Sequence, residues 1–146
     1  MKLALGFDHA GVKLKSALIE FLNANGYEYK DFGTYTEDSC NYAEYGAAVA
    51  EAVASGEFDR GILICGTGIG MSIVANKVPG IRCAHCQDVF SAKATRQHND
   101  SNVLAFGERV VAKELALEIV KTFLETEFEG GRHCRRVDKF MDFENE

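Results

Sequence analysis

The chain has 146 residues, 47% of them hydrophobic, and a formal net charge of −6. That length suits one globular domain with its own core, and the acid excess argues against the basic face of a nucleic-acid binder. No apolar run approaches the roughly 18 residues of a membrane span. The N-terminus has no signal-peptide core, and five cysteines without framework spacing read as free thiols of a reduced, cytoplasmic protein.

Apolar runs and helical patterns alternate from the first residues. Lys2–Phe7 predicts a strand that ends at Asp8-His9-Ala10-Gly11. Gly11–Asn25 has helical spacing, Tyr27–Phe32 predicts a second strand, and Tyr42–Ser55 a second helix. Gly61-Ile62-Leu63-Ile64-Cys65 is apolar at nearly every position, the pattern of a strand covered on both faces. Gly70–Lys77 predicts a short helix, Gly80–Ala84 a strand, Ser91–His98 a helix, Asn102–Phe106 a strand and Lys113–Glu125 a helix. An amphipathic segment at about residues 132–144 closes the chain. The βαβα rhythm predicts an α/β fold: a doubly wound, Rossmann-like, five-stranded parallel sheet with helices on both faces, forming a single domain over residues 1–146. Ligands of such sheets bind at the carboxyl ends of the strands. The places to inspect are then Asp8-His9, Cys65–Gly70 and Gly107-Glu108-Arg109.

Five groups of residues there and elsewhere could carry chemistry. Gly66-Thr67-Gly68-Ile69-Gly70 has three glycines in five residues, which lets the backbone turn tightly and approach a ligand. The helix that follows offers unpaired N–H groups to an anion. The spacing is G-x-G-x-G, neither the dinucleotide fingerprint nor a P-loop. Cys65 stands directly before this turn, where a helix N-terminus favours the thiolate; an inert buried thiol is the alternative. Asp8 and His9 side by side at a strand end look functional, although Asp8 could equally cap the next helix. His98 closes a helix, where histidine often only complements the dipole. Arg132 and Arg136 are four apart, so on a helix they share a face and suit a phosphate, and Arg109 could join them. A solvated basic patch is the competing reading. Cys83-Ala84-His85-Cys86 lacks the second ligand pair that zinc would need.

Taken together these blocks resemble the type B ribose-5-phosphate isomerases and the wider group that includes galactose-6-phosphate isomerase subunits. The matching motifs are Asp8-His9-Ala10-Gly11 with Leu14-Lys15, Gly33-Thr34, Ile64-Cys65-Gly66-Thr67-Gly68-Ile69-Gly70, Ala75-Asn76-Lys77, Arg96-Gln97-His98-Asn99 with Asn102-Val103-Leu104, and Glu129-Gly130-Gly131-Arg132-His133 with Arg136. The resemblance covers nearly the whole chain. It implies an aldose–ketose interconversion of a phosphorylated sugar with no metal or organic cofactor. Cys65 would move a proton between C2 and C1 as general base. Thr67 and the loop amides would stabilise the cis-enediolate, and His98 would open the sugar ring, with Asp8 and Tyr42 nearby. His9, Arg109, Arg132 and Arg136 would hold the phosphate, and Asn99 with Gly66, Gly68 and Gly70 the sugar oxygens. It also implies a homodimer, sometimes a tetramer, with each site built from two chains. One departure is Asn41-Tyr42-Ala43, where many members read Asp-Tyr-Pro; it leaves open another aldose phosphate, such as allose 6-phosphate, galactose 6-phosphate or a tetrose phosphate. A non-catalytic module that binds a phosphometabolite is the reading from a different class.

Overall fold

The computed structural model describes residues 1–146. Its five strands are β1 (Lys2–Phe7), β2 (Glu28–Asp31), β3 (Arg60–Cys65), β4 (Cys83–His85) and β5 (Val103–Gly107). They form one parallel sheet in the order β2-β1-β3-β5-β4. The helices are α1 (Val12–Ala24), α2 (Tyr42–Ala54), α3 (Ile69–Ala75), α4 (Val89–Asn99), α5 (Lys113–Glu125) and α6 (Cys134–Asp142).

Strand β3 is buried at all six positions, and its alternate residues feed two apolar layers. Ile62 and Ile64 pack with Leu14, Leu18, Ile119 and Phe123 on one face. Leu63 and Cys65 pack with Val49, Val53 and Met71 on the other. This is the two-residue period of a strand covered on both sides. Arg60, the first residue of β3, turns its buried guanidinium to the carbonyls of Phe123 and Leu124 at the end of α5. It thereby satisfies backbone acceptors that a helix end leaves open. Burial, and then the neighbouring Arg96, lower its pKa.

Three boundaries differ from expectation. The fourth strand starts at Cys83, not Gly80, because Asn102 holds the backbone before it as a loop. The Asn102 side chain accepts from Arg82 N at 2.8 Å and donates to Gly80 O at 2.9 Å. The closing segment begins as a 3-10 turn at Gly131–His133 and becomes α-helical only from Cys134, so Arg132 and Arg136 lie on either side of that junction and not on one helix. Asp8 does not cap α1. The N-cap is Gly11, with no side-chain cap, and the Asp8 carboxylate accepts from Ala10 N at 2.8 Å instead. A Cβ on Gly11 would stand 2.1 Å from the Ile64 carbonyl oxygen. Glycine is therefore required where α1 passes beside β3.

Candidate active site

Strands β1, β3 and β5 are adjacent, so their carboxyl ends place three predicted segments side by side. Phe7 pairs with Ile64, and Cys65 with Gly107. Asp8 N donates to Ile64 O at 3.2 Å, Glu108 N to Cys65 O at 2.9 Å, and Arg109 N to Gly66 O at 3.1 Å. The end of β3, Ile64 and Cys65, is thus held by backbone bonds from both neighbours. Its thiol and the Asp8 carboxylate are both buried, each residue 4% exposed. The Arg109 guanidinium lies over the turn: a Cβ on Gly66 would sit 3.4 Å from its Nη1. Partial burial raises the pKa of the neighbouring Glu108, against bonds from the Leu14 and Lys13 amides that lower it.

The glycine turn folds back onto the cysteine. Gly68 adopts φ +81°, a conformation that side chains resist. Its N–H donates to Cys65 Sγ at 3.0 Å, so the turn aims an amide dipole at the sulfur. The Thr67 hydroxyl accepts from Ile69 N at 3.2 Å and is thereby fixed at the start of α3. Tyr42 closes the far side: a Cβ on Gly70 would meet its ring at 2.6 Å. Asn41 supplies the N-cap of α2 by accepting from Ala43 N at 3.1 Å. The departure at 41 and 43 thus leaves α2 with a side-chain N-cap directly before Tyr42. His9 Nδ1 accepts from Cys40 N at 3.3 Å. The ring proton is therefore on Nε2, available to donate to an anion.

Gly68→Ala tests this turn. Its Cβ would come within 2.6 Å of Phe106 backbone, and its φ would be strained. The expected cost is about 2–4 kcal/mol, read as a lower urea midpoint, together with loss of turnover. A midpoint equal to that of the wild type would show that the turn adapts.

The remaining predicted residues lie elsewhere. Helix α4 starts just past the carboxyl end of β4 and runs back to the start of β5, so its end is at the amino edge of the sheet. His98 and Asn99 are there, about the length of β5 from Cys65, or roughly 13 Å. The His98 ring stacks on that of His133, with centroids 4.5 Å apart and planes 19° from parallel. Arg132 and Arg136 are close enough to act on His133 electrostatically, and Arg136 Nη1 lies 3.5 Å from its Nδ1. Within one chain the predicted residues therefore fall into two separate groups. Asp8, His9, Tyr42, Cys65, Gly66, Thr67, Gly68, Gly70 and Arg109 stand at the carboxyl edge. His98, Asn99, Arg132 and Arg136 stand at the opposite one.

A model of the family described as Ribose/Galactose Isomerase matches residues 3–140. The chain belongs to this family. Ribose-5-phosphate isomerase B of Escherichia coli (strain K12) is 50% identical over 143 residues, 98% of this chain and 96% of that protein. D-erythrulose-4-phosphate isomerase of Pectobacterium atrosepticum is 41% identical over 147 residues, 100% of this chain and 97% of that protein. The solved structure of Clostridium thermocellum ribose-5-phosphate isomerase B is 55% identical and superposes with a TM-score of 0.97, covering 99% of this chain and 98% of that one. The protein is accordingly an isomerase, on the α/β fold of its solved relatives.

Three residues to which the sequence reading assigns no role lie beside these groups. His133 and Glu129 surround His98, with Glu129 Oε2 3.5 Å from His133 Nε2. The i, i+4 spacing of 129 and 133 was readable, but their contact with His98 was not. Ligand atoms of His98, Glu129 and His133 lie within 4.8 Å of one another, a set that could take a divalent metal. The flanking guanidiniums of Arg132 and Arg136 favour an anion there instead. The third is His85, whose Nε2 lies 2.7 Å from Thr67 O; only the fold brings these two together.

Burial holds the His133 imidazole below its usual value, followed by His98, Arg132 and Arg136, with Glu129 opposing. The sign follows from proton counts. As pH falls below about 6.5 the unfolded histidine binds a proton before the folded one does. Stability contributed above that pH is therefore lost on acidification. His133→Asn is expected to flatten the fall in thermal midpoint between pH 7.5 and pH 5.5; identical slopes in the two proteins would contradict it.

Proposed function

We propose that the protein interconverts ribose 5-phosphate and ribulose 5-phosphate through a cis-enediolate, with Cys65 as general base. The observation that carries this reading is the buried Cys65 sulfur beneath the glycine turn, accepting the Gly68 N–H at 3.0 Å between Asp8 and Arg109. An amide aimed at sulfur favours the thiolate, the form that takes a proton. The thiolate removes the C2 proton of the open-chain aldose, and the electron pair moves through C1 to the carbonyl oxygen. Amides of the turn and Thr67 stabilise the enediolate. A proton then passes from O2 to O1, and the thiol returns its own proton to C1 as the carbonyl forms at C2. His9 and Arg109 bind the phosphate, whose remote binding energy orients the reacting carbons.

Ring opening by His98 and further phosphate binding by Arg132 and Arg136 then require a second copy of the chain. The reading is a homodimer, alone or paired into a tetramer, whose two sites are each assembled from both subunits. Supporting it, a groove of about 820 Å³ runs along the edge strand β4 between α4 and α6. Phe90 and Phe143 are 80% and 65% exposed beside it, an apolar patch that suits burial against a partner. All five cysteines are free, which supports a cytoplasmic setting. No helix is long and apolar enough to cross a membrane.

A second reading keeps the chemistry and changes the sugar. The relative named D-erythrulose-4-phosphate isomerase favours a tetrose phosphate, and allose or galactose 6-phosphate belong to the same comparison. The test is kcat/KM across aldose phosphates of four, five and six carbons. Ribose 5-phosphate is expected to lead by about tenfold or more. A tetrose or hexose phosphate in that place would transfer the assignment to the second reading.

A further inference from the structure

The Gly68 N–H that reaches Cys65 Sγ is one end of a peptide group. The other end, the Thr67 carbonyl oxygen, lies 2.7 Å from His85 Nε2. A carbonyl oxygen only accepts, so this ring nitrogen carries a proton and donates it. His85, the Thr67–Gly68 peptide and the Cys65 sulfur thus form two hydrogen bonds in series through a single amide. We propose that His85 is a positioning residue for Cys65, acting through this peptide to aim the Gly68 N–H at the sulfur and favour the thiolate. The proposal rests on the reading of Cys65 as general base and adds a residue to it.

Three observations support the relay. A planar peptide points its C=O and N–H in opposite directions, so fixing the carbonyl fixes the N–H. The group needs fixing: Thr67 is exposed, and Gly68 is a glycine at φ +81°, a residue type that tolerates either orientation of the preceding peptide. Apart from His85, the side chain near that oxygen is Gln87, whose Nε2 is 3.5 Å from it and 3.0 Å from His85 Nε2; one ring nitrogen cannot both donate to the carbonyl and accept from the amide, and the shorter 2.7 Å contact with an oxygen that only accepts assigns its proton to the carbonyl bond. A bond at the carbonyl also polarises the amide and strengthens its N–H as a donor, by about 10–30%. His85 ends β4 and is exposed, so its replacement removes the bond without opening the core.

The experiment measures iodoacetamide labelling of Cys65 in the full-length protein by peptide mass spectrometry. Wild type, His85→Leu and His85→Gln are compared at pH 7 and pH 9.5. At pH 7 the leucine variant is expected to label Cys65 about threefold or more slowly, because less of it is thiolate. At pH 9.5, above the usual range of free thiols, the difference should vanish. Glutamine, which retains an N–H donor, should recover at least about half of the rate. Turnover of ribose 5-phosphate should fall in kcat with KM within about twofold. Half-buried Cys83 and buried Cys86, whose thiols desolvation raises (Cys86 to about 11), should stay unlabelled at pH 7 in every variant and so report an intact fold.

Equal labelling of wild type and His85→Leu at pH 7 overturns the proposal. So does a slowing of the same size at both pH values, which would indicate altered access, and so does the absence of recovery with glutamine. Labelling requires no turnover. If Cys65→Ala remained active, the general-base reading would fail while the labelling result still decided the relay.

Discussion

Cys65→Ala is expected to lower kcat on ribose 5-phosphate by a factor on the order of 10³, within the range of positioned acid–base groups. The fold should survive. Alanine removes one atom from a buried site, and the main loss is the partner of the Gly68 N–H, a cost of about 1–3 kcal/mol for an unsatisfied buried donor. Cys65→Ser separates that cost from the chemistry. Serine restores an acceptor beneath the amide, so its urea midpoint should exceed that of alanine. Its hydroxyl is a far weaker acid than a thiol, so turnover should stay low. Phosphate binding, measured by calorimetry with inorganic phosphate, should be nearly unchanged in both variants because His9 and Arg109 are untouched. An alanine variant with wild-type turnover would remove Cys65 from the mechanism.

The second large effect concerns two inactive proteins that regain activity together. If each site takes Cys65 from one chain and His98 from its partner, Cys65→Ala and His98→Asn damage different halves. Subunit exchange between them makes a mixed dimer with one site carrying both lesions and one carrying neither. At equal concentrations half of the dimers are mixed, and each has one intact site of two. Recovery should therefore approach about a quarter of wild-type activity. If both residues served one chain's own site, mixing would recover nothing. The separation of roughly 13 Å between them in the chain is what makes recovery the expected result. Proof of exchange, by native mass spectrometry of differently tagged subunits, accompanies the measurement.

Much of this was readable in the residues. The uninterrupted apolar run 61–65 signalled a strand buried on both faces, and β3 is buried along its length. The helix over Lys113–Glu125 was predicted to the residue, because its apolar period and flanking residues are local properties. Elements whose ends are decided from a distance were placed less well. The start of β4 depends on Asn102, 20 residues beyond Arg82, which no local pattern reveals. Asp8 was open to capping α1 as well as to function, but the N-cap is Gly11, where α1 passes close to β3, and the carboxylate bonds Ala10 N.

By itself the sequence determined the grouping of candidate residues around Cys65. Strand ends in a parallel sheet share one edge, so Asp8, Cys65 and Arg109 could be grouped from the order of strands and helices, and the glycines announced the turn between them. Only the tertiary structure decided where His98 stands. That depends on α4 running back across the sheet and on the stacking of His133 from a segment 35 residues later. It also decided the contact between His85 and the Thr67 carbonyl, which needs β4 set beside β5 and the turn folded over the same edge. Local periodicity encodes the type of each element; which side chains meet across the sheet follows from pairing and direction, which are properties of the assembled chain.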